Sequence, residues 1–211
     1  NYNEKFTIIE GTSKNDLNKI LKNYFNEFSE IEYNEVIADT YFINSNLNFK
    51  EFKIILNNNF LALKERFKDN KLLKIFSFNE ILIIGSLLEK EGLDYNDKRK
   101  IFSVIINRLE RKMKLQIDAT VIYSLTNDEV DLNRPLTYKD LKIKHPYNTY
   151  YNYGLPPNPI SYVGLKTIEL IFENYKSNYL FYFYNTYEGK HIFSIDYKNH
   201  LLKLNEYRSK K

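Results

Sequence analysis

The most apolar helical stretch of the chain runs from Phe78 to Leu88. At about 100° per residue, Ile81, Leu82, Ile83, Ile84, Leu87 and Leu88 cover most of a helix circumference, which predicts a buried helix. Ser77 and Glu80 form a capping box at its start. Gly92 follows its last turn and suits the left-handed residue that ends many helices. Amphipathic stripes predict further helices after Ser13 (Leu17, Ile20, Leu21, Tyr24, Phe25) and after Asn48 (Phe52, Ile55, Leu56, Phe60, Leu63). Another stripe follows Asn96 or Asp97 (Ile101, Val104, Ile105, Leu109). Shorter helices are expected over Val121–Leu125, Leu136–Ile143 and Ser161–Tyr175, and Asp196 caps a last one. Alternation predicts strands at Lys5–Glu10 and Tyr179–Thr186, the second turning at Glu188-Gly189 into His191–Ile195. Val36–Ile43 reads as extended. The expected class is α+β, with several helices packed against a small antiparallel sheet.

The buried helix ends in Glu89-Lys90-Glu91. Two carboxylates on an apolar helix end are costly unless paired. The negative end of the helix dipole and apolar surroundings both disfavour ionisation there. A general acid working near neutral pH needs such a raised pKa. The competing reading is that both glutamates pair with Lys90, Lys98 or Arg99. The two side chains lie about 200° apart around the helix, so one cleft is served directly by one of them, and periodicity does not say which.

Two polar segments follow. Gln116-Ile117-Asp118-Ala119-Thr120 is a turn before a short helix that Asp118 is placed to cap. Lys144–Pro159 is a loop stiffened by prolines at 146, 156, 157 and 159. It carries Tyr147, Asn148, Thr149 and Tyr150, whose hydrogen-bonding groups and ring faces suit a sugar chain. Asn107 and Arg108, within a helical stripe, read as ties to a neighbouring loop.

The order of these motifs resembles the endolytic murein transglycosylases of the MltG (YceG-like) family. The matching runs are EKE at 89–91, INRL at 106–109, MKLQIDATVIY at 113–123, PYNTY at 146–150, GLPPNPI at 154–160 and HIF at 191–193. Ala119 stands where a proline is usual. The resemblance implies a lytic transglycosylase that cleaves the bond between N-acetylmuramic acid and N-acetylglucosamine and leaves 1,6-anhydro ends. It implies Glu91 as the single acid/base. It also implies Gln116, Asp118, Thr120, Tyr147, Asn148 and Thr149 as substrate-binding residues gathered near Glu91, with Glu89 and His191 supporting. A muramidase-type hydrolase and a non-catalytic peptidoglycan-binding module are the alternatives. Residues 1–70 are expected to form the N-terminal part of the catalytic region and 71–211 its core.

Composition narrows the classes further. The 211 residues carry 43% hydrophobic and 27% charged side chains, as in folded globular chains. A net charge of +4 is too mild to call for nucleic acid. There is no cysteine, and the three histidines lack metal-ligand spacing, so neither a metal nor an organic cofactor is expected. No apolar run approaches the roughly 18 residues of a membrane span. The resemblance implies peptidoglycan glycan strands as partner, with cell-wall synthesis proteins as further ones. It places the domain outside the cytoplasmic membrane, held by an N-terminal anchor ahead of residue 1.

Overall fold

The computed structural model describes residues 4–44 and 46–210. In chain order the elements are β1 (Glu4–Thr7), α1 (Lys14–Leu21), β2 (Thr40–Ile43), α2 (Phe49–Phe67), α3 (Phe78–Glu91), α4 (Tyr95–Glu110), α5 (Asp118–Thr126), α6 (Leu165–Glu173), β3 (Phe181–Asn185), β4 (Lys190–Ser194) and α7 (Tyr197–Arg208). The class is α+β, with two antiparallel pairs, β1 with β2 and β3 with β4, rather than one sheet.

Four helices start where local chemistry places them. Ser13 accepts from the Asp16 N–H at α1, and Asp196 accepts from the Asn199 N–H at α7. Asn48 with Glu51, and Ser77 with Glu80, form reciprocal capping boxes at α2 and α3. α3 is the centre of the larger core. Ile81, Leu82, Ile83, Ile84, Leu87 and Leu88 are all buried, against α4 on one side and α6 on the other. Burying each such side chain is worth about 1.5–3 kcal/mol. A second apolar cluster (Phe6, Ile8, Leu17, Leu21, Phe25, Phe52) gathers β1, β2, α1 and the first half of α2. Phe60 and Leu63, from the second half of α2, belong to the first cluster, so one helix feeds both.

Five local expectations are corrected. Asp94, not Asn96 or Asp97, caps α4, and its side chain accepts from the Asp97 N–H. Ile117 occupies the cap position of α5, so Asp118 is the first helical residue and its carboxylate caps nothing. α6 starts at Leu165 rather than Ser161, because the preceding backbone is claimed elsewhere. Tyr162 pairs with Gly11 and Thr12, and the Val163 carbonyl accepts from Ala38 N–H at 2.8 Å. The 136–143 stretch is reduced to one tight turn at Asp140–Lys142. There Asn148 Nδ2 takes the Leu141 and Ile143 carbonyls, while Arg134 and Thr137 take the Asp140 carboxylate. Gly92 is extended, with φ −81° and ψ 143°. It is small because a Cβ there would overlap the Lys98 side chain.

Gly85 has a comparable role inside α3, where a Cβ would lie 2.6 Å from Val163 Cγ1. Gly85→Ala should therefore destabilise the fold by about 1–3 kcal/mol through overpacking. The gain in helix propensity, about 1 kcal/mol, works against this. Thermal unfolding should show a melting temperature lower by several degrees. A rise would mean that Val163 moves aside freely.

Candidate active site at the end of the third helix

The last turn of α3 presents its two glutamates to different surroundings. The Glu89 side chain is 2% exposed. It forms an ion pair with Lys98 of α4, and its Oε1 accepts the Gly164 N–H at 3.0 Å. Lys98 Nζ also reaches Thr167 Oγ1 at 3.2 Å. A buried carboxylate with a cation and a backbone donor is satisfied structurally, so the pairing reading holds for Glu89.

Glu91 has no cation beside it among its described partners. Its Oε2 accepts the Tyr182 hydroxyl at 3.0 Å, and the Ala119 N–H lies close enough to favour its ionised form. Burial pushes its pKa above the ordinary range, and the negative charge of Asp118 adds to that. The Tyr182 hydroxyl, the Ala119 N–H and His191 oppose the rise without cancelling it. His191 is held by Asp97, Nδ1 to Oδ2, at 2.8 Å. Burial alone would raise the Asp97 carboxyl, but His191 and the Leu93 N–H outweigh it and hold it below its usual value.

The facing wall consists of two loops joined through threonines. The Thr149 carbonyl accepts the Gln116 N–H at 3.2 Å, and Thr149 Oγ1 accepts the Ile117 N–H at 2.9 Å. The Thr120 and Thr149 hydroxyls bond each other at 2.9 Å. Asn148 is fully buried and spends its amide on the Leu141 and Ile143 carbonyls and on the Tyr150 N–H. Thr120, Asn148 and Thr149 thus hold the wall from inside, with their polar atoms occupied. Gln116, at φ 53°, and Asp118 are exposed on it. Asp118 Oδ1 accepts the Tyr150 hydroxyl at 2.6 Å, and its charge is felt at Glu91. Tyr147 is partly buried against Tyr123, ring centres 4.5 Å apart. Exposed Tyr151 and Tyr153 flank Lys114, whose ammonium lies 5.1 Å from the Tyr153 ring centre.

Arg108 and Asn107 set the distance between these parts. Arg108 is buried with no carboxylate among its partners. Its Nε bonds the Leu180 carbonyl at 2.7 Å and its Nη1 the Leu115 carbonyl at 2.6 Å. Asn107 bonds the Ser177 and Tyr179 carbonyls, each at 2.8 Å. One helix therefore fixes both the start of β3, which carries Tyr182, and the start of the loop that carries Gln116 and Asp118.

Sequence reasoning missed Tyr182 and Asp97. Alternation placed Tyr182 on a strand face, and the hairpin register sets Tyr184 opposite His191. His191 had already drawn notice, so pairing the hairpin around it would have pointed to the neighbouring tyrosines.

An α+β fold that sets a partly buried carboxylate, without a cation beside it among the described residues, against a polar and aromatic wall has the layout of a candidate acid–base site. The chain belongs to the YceG-like family, whose model matches residues 1–206. It is 39% identical over 148 residues to the endolytic murein transglycosylase of Bacillus subtilis, an alignment covering 70% of this chain and 39% of that protein. It is 34% identical over 129 residues to the endolytic murein transglycosylase of Streptococcus pneumoniae D39, covering 60% of this chain and 23% of that one. The chain thus spans well under half the length of these relatives. The crystal structure described as a yceG-like protein, lmo1499 of Listeria monocytogenes, superposes with a TM-score of 0.79 at 25% identity, covering 95% of this chain and 76% of the other.

Opposite stability effects should separate the two glutamates. Glu89→Gln strands Lys98 and should cost about 1–3 kcal/mol, somewhat less than the loss of a fully buried partner. Glu91 is the reverse case. Its folded-state pKa lies above the unfolded one, so folding is penalised as pH rises from the unfolded value through the folded value. Glu91→Gln should therefore match the parent in acid and become the more stable of the two toward neutral pH. Denaturant titrations at several pH values check both signs.

Proposed function

We propose that this chain is the catalytic portion of an endolytic murein transglycosylase, with Glu91 as its single acid/base. The observation that carries the reading is the contrast within one helix turn. Glu89 is neutralised by Lys98, whereas Glu91 is partly buried beside the facing wall with its pKa raised. The names of the relatives supply the substrate. Protonated Glu91 donates to the glycosidic oxygen as the bond from C1 of N-acetylmuramic acid breaks. Positive charge develops at C1, and the sugar's own 6-hydroxyl oxygen attacks it. The hydroxyl proton passes to the Glu91 carboxylate, which restores the acid. A 1,6-anhydro ring closes and no water is consumed. The nucleophile belongs to the substrate, so its positioning needs no second carboxylate. Gln116, Asp118 and the exposed tyrosines line the wall that would hold the glycan. The threonines and Asn148 keep that wall rigid.

The same reading places the domain on the outer side of the cytoplasmic membrane, tethered by a segment outside this chain, with glycan strands as its partner. One observation favours a second reading, a muramidase. The Asp118 carboxylate is free of any capping duty and its charge is felt at Glu91, so it could hold a water as a base.

Mass spectrometry of purified peptidoglycan after digestion separates these. Transglycosylase action leaves anhydro ends, lighter by one water than reducing ends, and internal cuts in long strands. Glu91→Gln should lower the rate by about 10²-fold or more, because it removes the proton that leaves with the aglycone. Glu89→Gln should retain more activity. Asp118→Asn should retain substantial activity under the proposed chemistry; under the alternative the parent itself leaves reducing ends and Asp118→Asn abolishes cleavage. Binding without cleavage by the parent protein would favour a wall-binding module.

A further inference from the structure

Glu91 is tethered by a residue from the far end of the chain, and this tether deepens the reading above, on which its catalytic consequence rests. The Tyr182 hydroxyl donates to Oε2 at 3.0 Å. The Tyr182 ring stands edge-on to His191, centres 5.3 Å apart and planes at 89°. His191 is in turn fixed by Asp97 at 2.8 Å, and Asp97 is anchored by the Leu93 N–H at 3.0 Å. The two turns of chain that follow Glu91 therefore reach back, through the β3–β4 hairpin, to hold the oxygen of Glu91 itself.

We infer that Tyr182 is the positioning residue of the Glu91 acid: it occupies Oε2, so that the catalytic proton is carried on and returned to Oε1, and the Asp97–His191 pair keeps the phenol in place. An oxygen bearing a proton is a weak acceptor, so the carboxyl oxygen already receiving an O–H is the one that stays unprotonated. Burial and the Glu91 charge push the phenol far above its usual range, so Tyr182 remains a donor in both protonation states of Glu91. The bond is stronger to the carboxylate than to the acid. It therefore sets how readily Glu91 gives up its proton as well as where that proton points. The other groups acting on Glu91 are Asp118 and the Ala119 N–H from α5, His191 from β4 and Tyr150 from the loop. Arg108 of α4 acts on the two tyrosines.

Tyr182→Phe tests this with two independent readouts. Site-resolved 13C NMR of labelled glutamate, assigned with Glu91→Gln, should show the Glu91 titration moved upward by about one pH unit. The basic limb of the kcat/KM profile for glycan cleavage should move upward with it, and kcat at the optimum should fall about tenfold or more. A merely structural tyrosine would lower activity without moving the limb. An unmoved titration and limb overturn the inference. Incorporation of 3-fluorotyrosine at 182 keeps the shape and strengthens the donor. It should move the titration the opposite way, and it serves if the phenylalanine variant unfolds; no downward movement counts against the role. The NMR arm does not need turnover. A parent protein that cleaves nothing overturns the proposed function, whereas an unmoved Glu91 titration overturns Tyr182.

Discussion

The buried ion pair of Glu89 with Lys98 is the point on which the rest of the molecule closes. Glu89 takes the Gly164 N–H, and Gly164 is bridged to Ala38. The Glu89 backbone lies under Gly11, at the end of the first strand pair. Lys98 brings in α4, and through Thr167 it reaches α6. Removing the cation would leave a charge in an apolar place, and that is costly whatever else is present. The position of the α3 end relative to the N-terminal cluster is fixed by this requirement. Because side chains two apart on a helix point about 200° from each other, the turn that buries Glu89 in its pair turns Glu91 toward the opposite side.

The segments that frame Glu91 are joined mainly by neutral groups. Arg108 and Asn107 are satisfied by carbonyl oxygens, and the 116–120 and 147–150 segments are joined by threonine hydroxyls and an asparagine amide. Neutral acceptors hold geometry as firmly as carboxylates do, and they add no full charge to a site whose chemistry depends on one acid's pKa. The short backbone stretches involved have weak helix or strand preference of their own. Side chains that bond backbone groups are what keep them in register.

The same arrangement has a thermodynamic cost. A partly buried carboxylate without a cation is a poor choice for stability, and the protein retains it where a partner lysine would have relieved it, as Lys98 of α4 does for Glu89 two residues earlier. Local departures of this kind collect at working sites because the group's reactivity and its discomfort share one cause.

Much of this molecule was legible without coordinates, because helix caps and periodicity are local. Ser13, Asn48, Ser77 and Asp196 start helices through bonds to their own next turn. The wholly apolar face of α3 announced a buried helix. Expectation failed where other groups claimed the chain's polar atoms first, distant ones at Ser161–Gly164 and the nearby Asn148 and Arg134 at 136–143. It failed again at Asp118, where a distant tyrosine took the carboxylate instead of the helix N-terminus. The two glutamates of one turn are alike in sequence. The residue types and their spacing established carboxylates at a buried helix end and two polar loops, and the family resemblance is what brought the loops to the helix end and singled out Glu91. Only the tertiary structure decided that Lys98 neutralises Glu89 while Tyr182, 91 residues away along the chain, holds Glu91. The reason is that a carboxylate's pKa depends on the charges and donors within a few ångströms, and folding, not sequence proximity, chooses those neighbours.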